Sequence, residues 1–276
     1  PKSDSDNCVI IPRSFAVSEN AYWLAQIFVK LGIPVKVDSV KEEDILEAQP
    51  FFNIDVCAPL IGATGQFLRL SRSPHGLILV PQIDFLPTNG KSVGKTCTTN
   101  QGGMAIAKNL SQLKYPDAKY FMFDLNLKSD DPDYVTNLLW RKMQPVFKKY
   151  NKEVSKADFH EAVVYAHKQN EKLAEKVTGL AADYLQKAVR ENRNVSVVCG
   201  REYILNPGIY DSHVGKLLRD KGVLALPSYV FRAELGEEFG YVYWRNPHDI
   251  MTKTKAITDK RLHKLLPASE LKEVLR

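Results

Sequence analysis

The chain has 276 residues, of which 44% are hydrophobic and 25% are charged, and its formal net charge is +6. This composition is typical of a globular protein and excludes the disordered and fibrous classes. No apolar run approaches the roughly 20 residues of a membrane-spanning helix. The first residues, PKSDSDN, have neither the apolar segment nor the cleavage site of a signal peptide. The sequence therefore predicts a cytoplasmic protein with no membrane contact, long enough for two domains of roughly 100–200 residues each.

The basic residues are spread along the chain, and many alternate with acidic residues on helix-like segments such as Lys148 to Lys156. Such alternation is typical of a solvated helix face. No nucleic-acid-binding module accompanies the charge, so we expect no nucleic acid partner. Small anions such as CoA esters or nucleotides are compatible with it. The sequence starts without a methionine, which we interpret as processing or as excision from a longer chain.

The first half of the chain alternates short apolar segments with helical patterns. Helices are predicted at residues 18–32, 41–48, 61–70 and 104–110, and strands at residues 8–11, 33–37, 76–81 and 120–124. This alternation with short connections indicates an open parallel sheet. Ligands bind outside the carboxyl ends of such strands, because right-handed crossovers bring the loops there. Cys97 follows the strand at 76–81, and we expect it at that edge of the sheet.

The second half begins with long helical patterns, at residues 134–150 and 156–190, rich in Lys, Glu, Ala and Leu. The alternation then resumes, with predicted strands at 195–199 and 223–226, a helix at 211–221 and a helical tail at 249–265. The sequence therefore predicts an α/β fold with two Rossmann-like, parallel-sheet lobes. The first lobe covers residues 1–130, a helical connector covers 131–191, and the second lobe covers 192–276.

The familiar nucleotide and hydrolase motifs are missing. The stretch NGKSVGKTCTTNQGG suggests a phosphate-binding loop, but only three residues separate Gly90 from Gly94, where that motif requires four. No G-x-G-x-x-G follows a predicted strand, and neither G-x-S-x-G nor H-E-x-x-H occurs. The cysteine in the stretch needs its own explanation.

Four cysteines are widely spaced, and without a secretion signal we expect no disulfide bonds. Cys8 and Cys199 adjoin predicted strands, which favours buried, packing roles. Cys57 and Cys97 instead lie in loops ahead of helices that contain glycine. Thiolates are stabilised at helix starts by backbone N–H groups and are suited to iron–sulfur ligation, although two of them are only half of a four-ligand set.

A second loop of interest is CGREYILNPGIYD, which follows the predicted strand at 195–199. Its Arg201 is placed to hold an anionic group at the carboxyl end of a strand. A structural turn in which Arg201 forms a local salt bridge explains the loop equally well, and both interpretations stay open.

Four segments together resemble the 2-hydroxyacyl-CoA dehydratase and CoA-enzyme activase-associated iron–sulfur family, which includes dehydratase D-component-like and double-cubane cluster proteins. In chain order they are VIIPRSFAVSENAYWLAQIFVKLGIPVKV, DVCAPLIGATGQFLRL, LILVPQIDFLP followed by TCTTNQGGMA, and VVCGREYILNPGIYDSHVGKLLRDKGV. The resemblance runs from about residue 9 to 125 and again from 195 to 245. Its order and spacing are more specific than any single motif.

The resemblance implies an iron–sulfur cluster, either [4Fe–4S] or double-cubane, with Cys57 and Cys97 as metal ligands. Arg201 and Tyr203 match the family's GRPY element and are implied to bind a cofactor. The implied partners are an ATP-hydrolysing activator protein or domain that donates a low-potential electron, a second lobe or subunit in a homo- or heterodimer, and a CoA thioester. The chain is thereby implied to be part of an ATP-dependent reductase or 2-hydroxyacyl-CoA dehydratase system, and whether it is itself an enzyme stays open.

The sequence also departs from the family pattern. Gln82 stands where many relatives have a cysteine after the strand-ending proline, Glu202 replaces the proline of GRPY, and the family's further Cys-Gly-Pro segment has no counterpart. Two hypotheses follow. The first, which we favour, is an electron-transfer module whose remaining ligand lies on a longer polypeptide. The alternative is a structural or small-molecule-binding relative that keeps the fold without the cluster.

Overall fold

The computed structural model describes residues 7–53, 55–72, 76–88, 93–205, 212–231 and 239–258. By chain position the molecule divides into two compact units. The first consists mainly of residues 1–87 and 96–170, and the second mainly of residues 88–95, 171–206 and 211–276. The domain boundaries that the sequence suggests, after residues 130 and 191, stay a prediction.

The first unit contains a four-stranded parallel sheet in the order β2-β1-β3-β4. The strands are β1 (Val9–Arg13), β2 (Val35–Ser39), β3 (Leu77–Gln82) and β4 (Lys119–Asp124). β1 and β3 lie in the centre, and their apolar residues are buried almost without interruption, as expected for strands covered on both faces. The predicted α/β fold with a parallel sheet is confirmed.

Helices cover both faces of this sheet. They are α1 (Val17–Lys30), α2 (Glu42–Ala48), α3 (Ala58–Ser71), α4 (Thr98–Lys114), α5 (Pro132–Lys149) and the first part of α6 (Lys156–Arg190). The chain moves from β1 to β2 in one direction and from β2 through β3 to β4 in the other. Right-handed crossovers therefore place α3 and α4 on one face and α1 on the opposite face.

Side-chain contacts agree with this arrangement. On one face, the Tyr120 hydroxyl of β4 lies 2.6 Å from the Ser71 hydroxyl of α3. Elsewhere in the unit, Trp23 of α1 packs against His167 of α6 with ring centroids 5.6 Å apart. Phe147 of α5 and Phe159 of α6, both buried, pack at 5.8 Å. Apolar burial between these layers is the main stabilising contribution to the unit.

A buried ionic cluster joins β2, α2 and α3. The Arg69 guanidinium donates to Asp38 and to Asp44, each at 2.7 Å, and both carboxylates are almost fully buried. Burial raises the pKa of Asp38, but hydrogen bonds from Arg69 and Gln66 and the charge of Arg69 outweigh it, so the pKa is lowered overall. α3 approaches α2 closely here, since a Cβ on Gly65 would lie 1.7 Å from the Asp44 carbonyl oxygen. Glycine is therefore required at position 65.

Among the residues that the structure describes, the apolar core of the second unit is smaller than that of the first. Parallel strands β5 (Val195–Val198) and β6 (Leu224–Pro227) pair with each other, and β5 is only half-buried along its length. The unit also contains the later part of α6 and three further helices: α7 (Glu202–Leu205), α8 (Val214–Asp220) and α9 (Arg245–Thr258). Its buried cluster consists of Leu185, Leu226 and Phe231.

Most predicted elements are present, with shifted ends. α3 begins at Ala58 and α4 at Thr98, whereas the sequence predicts starts at 61 and 104. Pro59 is compatible with a first helical turn because its missing N–H has no intrahelical acceptor there. β1 extends through Pro12 to Arg13, two residues beyond the predicted end, and α9 begins four residues before the predicted tail helix. Residue 211 of the predicted 211–221 helix and residues 259–265 of the tail lie outside the described residues.

Candidate functional site

The carboxyl edge of the first sheet opens between β1 and β3. These strands pair only at Val9–Leu77 and Ile10–Ile78, although β3 continues to Gln82. The backbone amides of a central strand point alternately to its two neighbouring strands. The Val9 amide donates to the Pro34 carbonyl, on the β2 side, so the amides at even-numbered positions of β1 face β3. Pro12 is at such a position and has no N–H to donate. The ladder therefore ends before Pro12, at the point where the chain leaves β1 and β3 in opposite directions, which is where ligands bind in this architecture.

The Asn100 carboxamide bridges this opening. Its Oδ1 accepts from the Ala16 amide, after β1, at 2.8 Å, and its Nδ2 donates to the Ile83 carbonyl, after β3, at 3.0 Å. The side chain is almost fully buried. Asn100 therefore replaces the lost strand ladder with two side-chain hydrogen bonds. No sequence motif points to Asn100, because both of its partners are backbone groups of loops that are distant in the sequence.

Phe15, in the loop after β1, has a strained backbone. Its φ is 47°, a left-handed conformation that bulky residues rarely adopt. The Ser18 hydroxyl, which donates to the Phe15 carbonyl at 2.6 Å, and the Ala16–Asn100 bond hold the turn. The buried ring lies against α4 at Gly103, where a Cβ would be 2.7 Å from a ring carbon. Strain of this kind is maintained only where the surroundings fix it, and it concentrates at functional sites.

Cys97 is the N-cap residue of α4. Its Sγ accepts a hydrogen bond from the Asn100 amide at 3.4 Å, and the side chain is partly exposed. The hydroxyl of the preceding residue, Thr96, donates to the Ile83 carbonyl at 2.6 Å. Ile83 directly follows β3, so this bond holds the loop against the end of that strand. Gln101 adds a bond from its side-chain amide to the Thr96 carbonyl at 2.6 Å. The prediction that Cys97 lies at the carboxyl edge of the sheet is confirmed, and its position is fixed by two neighbouring side chains and one backbone amide.

Cys57 is the N-cap residue of α3 and is also partly exposed. Its carbonyl accepts the Leu60 amide at 2.8 Å, which is the first hydrogen bond of the helix. α3 is fastened to the ends of β1 and β2 by Gln66, whose side-chain amide accepts from the Ser14 hydroxyl and donates to the Asp38 carbonyl at 2.7 Å. A cavity of about 510 Å³ lies beside Cys57. Its lining residues are Gln49, Phe52, Asn53, Asp55, Val56 and Ile61.

The two cysteines therefore hold equivalent positions. Each caps a helix, α3 and α4 pack against each other on the same face of the sheet, and both helices start at the carboxyl edge. Backbone N–H groups and the positive end of a helix dipole favour negative charge at such positions. Across the residues that the structure describes, no group of three or more His, Cys, Asp or Glu side chains could hold a metal ion. The role of Cys57 and Cys97 as metal ligands stays a prediction.

Gln82, the last residue of β3, carries an unpartnered polar atom. Its Nε2 is buried, and it has no hydrogen-bond partner in the described part of the chain. Tyr120, whose hydroxyl contacts α3, is the register partner of Ile78 in β3 and so points to the same face of the sheet. Gln82 lies four residues after Ile78 in the same strand, and residues two or four apart in a strand share a face. Gln82 therefore faces the α3 and α4 layer. A buried donor without an acceptor is costly and rare, which makes this amide a candidate ligand contact.

The two predicted cofactor-binding residues lie in the second unit. Arg201 follows β5, is partly buried, and its carbonyl accepts the Ile204 amide at 2.9 Å at the start of α7. Tyr203 lies within α7, but its side chain is outside the described part of the structure, as are residues 206–211 of the same loop. Their roles in binding stay a prediction.

Residues 9–230 match the protein family described as "CoA enzyme activase uncharacterised domain (DUF2229)". No curated protein and no solved structure matches the chain. None of the described helices is long and apolar enough to span a membrane. Because the family match covers well over half of the 276 residues, the chain belongs to this CoA enzyme activase-related family.

Proposed function

We propose that this chain is an iron–sulfur electron-transfer domain of a CoA enzyme activase system, with Cys57 and Cys97 as thiolate ligands. The carrying observation is their equivalent placement as N-caps of neighbouring helices on one face of the sheet, at its carboxyl edge. The family match supports the activase context. An iron–sulfur cluster supplies one-electron chemistry, and thiolates are its usual ligands in proteins.

The residues around Cys97 suit a negatively charged group. The Asn100 amide already donates to the Cys97 sulfur, and backbone hydrogen bonds to cluster sulfurs are among the factors that set reduction potential. The orphaned Nε2 of Gln82 offers a second donor on the same face of the sheet. Side chains that hydrogen-bond to ligands orient the ligands and tune the metal. These two donors are the structural support for a cluster at this edge.

The remaining ligands come from a second polypeptide or from a longer form of this chain. The sequence contains only two other cysteines. Cys8 is buried one residue before β1, at the amino edge of the sheet, and Cys199 belongs to the second unit. An ATP-hydrolysing activator, or a second lobe or subunit, is the partner we propose. In this scheme Arg201 holds an anionic group of a CoA thioester.

Anaerobic reconstitution of the 276-residue chain with ferrous iron and sulfide tests the proposal. We expect iron, acid-labile sulfide and broad visible absorbance in the parent chain, and loss of most of each in Cys57→Ala and Cys97→Ala. Cys199→Ala is the matched control and should keep them. Equal iron and sulfide contents in all four proteins would contradict the assignment.

The cluster-free alternative has its own support in the cavity beside Cys57, which combines polar and apolar lining residues and has the volume of a small-molecule site. If neither the chain alone nor the chain co-expressed with an ATP-hydrolysing activator protein binds iron, a small-molecule-binding or structural role is the better description. Circular dichroism of each variant shows whether a loss of iron reflects unfolding.

A further inference from the structure

A second cavity, of about 380 Å³, lies within the second unit. It is formed by α6, the loop before β5, α8 and the length of β6. The lining residues are Tyr184, Lys187, Ala188, Arg193, Arg219, Val223, Leu224, Ala225 and Leu226. Arg193 precedes β5 and Val223 precedes β6, so the cavity reaches the amino ends of these strands. Arg201 follows the carboxyl end of β5 and is not among the lining residues. The cavity is therefore separate from the predicted Arg201 site.

The cations of this cavity converge from three different elements. Lys187 is on α6, Arg193 is in the loop before β5, and Arg219 is on α8. A solvated helix face explains neighbouring charges on one helix, but it does not explain three cations from separate elements around one cavity. The convergence creates a local positive potential, which concentrates anions.

Carboxylates offset only part of this charge. Glu191 lies 3.8 Å from Lys187 and 3.6 Å from Arg193, so one carboxylate serves two cations. All three of these side chains are at least 40% exposed, and ion pairs of this kind contribute little stability and are easily exchanged. The Arg219 guanidinium forms no ion pair with a residue of the described part of the chain. A planar guanidinium in this situation is suited to a phosphate group.

The rest of the lining is apolar or aromatic. The apolar residues of the lining are Ala188 and Leu226, which are buried, and Val223, Leu224 and Ala225; together we call them the apolar side. Tyr184 is 56% exposed on α6 and presents its ring at the same cavity. An apolar surface with an aromatic ring binds flat rings. The volume is at the lower end of the range for small-molecule sites.

We propose that this cavity binds a phosphorylated compound that carries a flat ring, of which a nucleotide is the simplest kind. The phosphate groups lie against Arg219, Arg193 and Lys187, and the ring lies against Tyr184 and the apolar side. When the phosphate binds, Lys187 and Arg193 exchange their ion pairs with Glu191 for contacts with the phosphate. The site is independent of the cysteine edge of the first unit and does not rest on the proposed iron–sulfur function.

Calorimetric titration of the 276-residue chain with ADP, inorganic phosphate and adenosine tests the proposal. We expect ADP to bind more tightly than either fragment, and its affinity to fall as ionic strength rises. Arg219→Gln should weaken ADP binding about tenfold or more, since a hydrogen bond to a charged group is lost. Tyr184→Ala should weaken ADP binding about threefold to tenfold while leaving phosphate binding unchanged.

Lys216→Gln is the matched control, because Lys216 is an exposed cation of the same helix outside the cavity lining. It should change ADP affinity by less than about twofold, as expected for an exposed charge that lies outside the cavity lining and is screened by solvent. CoA contains the same ring and phosphates, so tighter binding of CoA than of ADP would identify CoA as the ligand that supplies the ring and the phosphates. Absence of saturable ADP binding, or equal losses in Arg219→Gln and Lys216→Gln, would overturn the proposal.

Discussion

The cysteine edge of the first unit and the basic cavity of the second unit are built in different ways. At the cysteine edge, buried amides hold loop backbones in fixed positions, as Asn100 does for the turns after β1 and β3. At the basic cavity, the functional groups are exposed cations beside half-buried strands. The first site is therefore a rigid frame with few charges, and the second is a group of charges on a lightly packed support.

Substitutions at the two sites should therefore be detected by different measurements. A residue of the rigid frame contributes to the free energy of unfolding, because its removal leaves buried polar groups unsatisfied. A residue of the basic cavity contributes mainly to ligand affinity, since exposed side chains contribute little to stability. Arg219→Gln should accordingly leave the free energy of unfolding within about 0.5 kcal/mol of the parent value.

The largest expected effect is that of Arg69→Met. Removing the guanidinium leaves Asp44 as a buried charge without its ion-pair partner, and it leaves Asp38 with only the exposed Lys36, at 3.7 Å. We expect a cost of about 3 kcal/mol in the free energy of unfolding. Arg72→Met is the matched control: Arg72 lies three residues further along the chain, is about half exposed, and pairs with Glu47. It should cost less than about 1 kcal/mol. Urea denaturation measures both, and similar losses would show that the buried cluster does not stabilise the frame.

Asn100→Ala should have the next largest effect. The change leaves the buried Ala16 amide without its acceptor and leaves the Ile83 carbonyl with the Thr96 hydroxyl alone, which costs about 2 kcal/mol. Asn109→Ala is the control on the same helix, since Asn109 is exposed and its side chain accepts a hydrogen bond from the neighbouring Lys108, and it should be nearly neutral. We also expect faster alkylation of Cys97 in Asn100→Ala, because the loop is no longer held to β1. Unchanged stability and unchanged alkylation would contradict the bridging role.

Much of the first unit follows from its sequence. Apolar runs such as LILVPQ predict buried central strands, and the direction of the connections then determines which helices share a face. The exact starts of α3 and α4 are harder to predict from the sequence. Cysteine is not among the residue types preferred at the N-cap position, so Cys57 and Cys97 become N-cap residues through tertiary contacts. The role of Asn100 was not predictable, because both of its partners are backbone groups of distant loops. Arg219 and Arg193 likewise meet only through the fold.

Among the three substitutions proposed in the first unit, Gln82→Leu should change the stability least, and it tests the cysteine edge most directly. Leucine has a similar size and removes a buried donor that has no acceptor, so the chain without iron should gain up to about 1 kcal/mol in the free energy of unfolding. Gln144→Leu is the control: its amide already donates to the Trp140 carbonyl at 3.3 Å, and no gain is expected.

In the iron-loaded chain the same Gln82→Leu substitution should lower the reduction potential, because a hydrogen-bond donor near the cluster sulfurs is lost. The variant thus exchanges function for stability, as residues that are strained or unsatisfied in the absence of a ligand often do. A potentiometric titration followed by visible absorbance measures the shift. If Gln82→Leu instead destabilises the iron-free chain and leaves the potential unchanged, the amide has a structural partner and the cluster is not beside it.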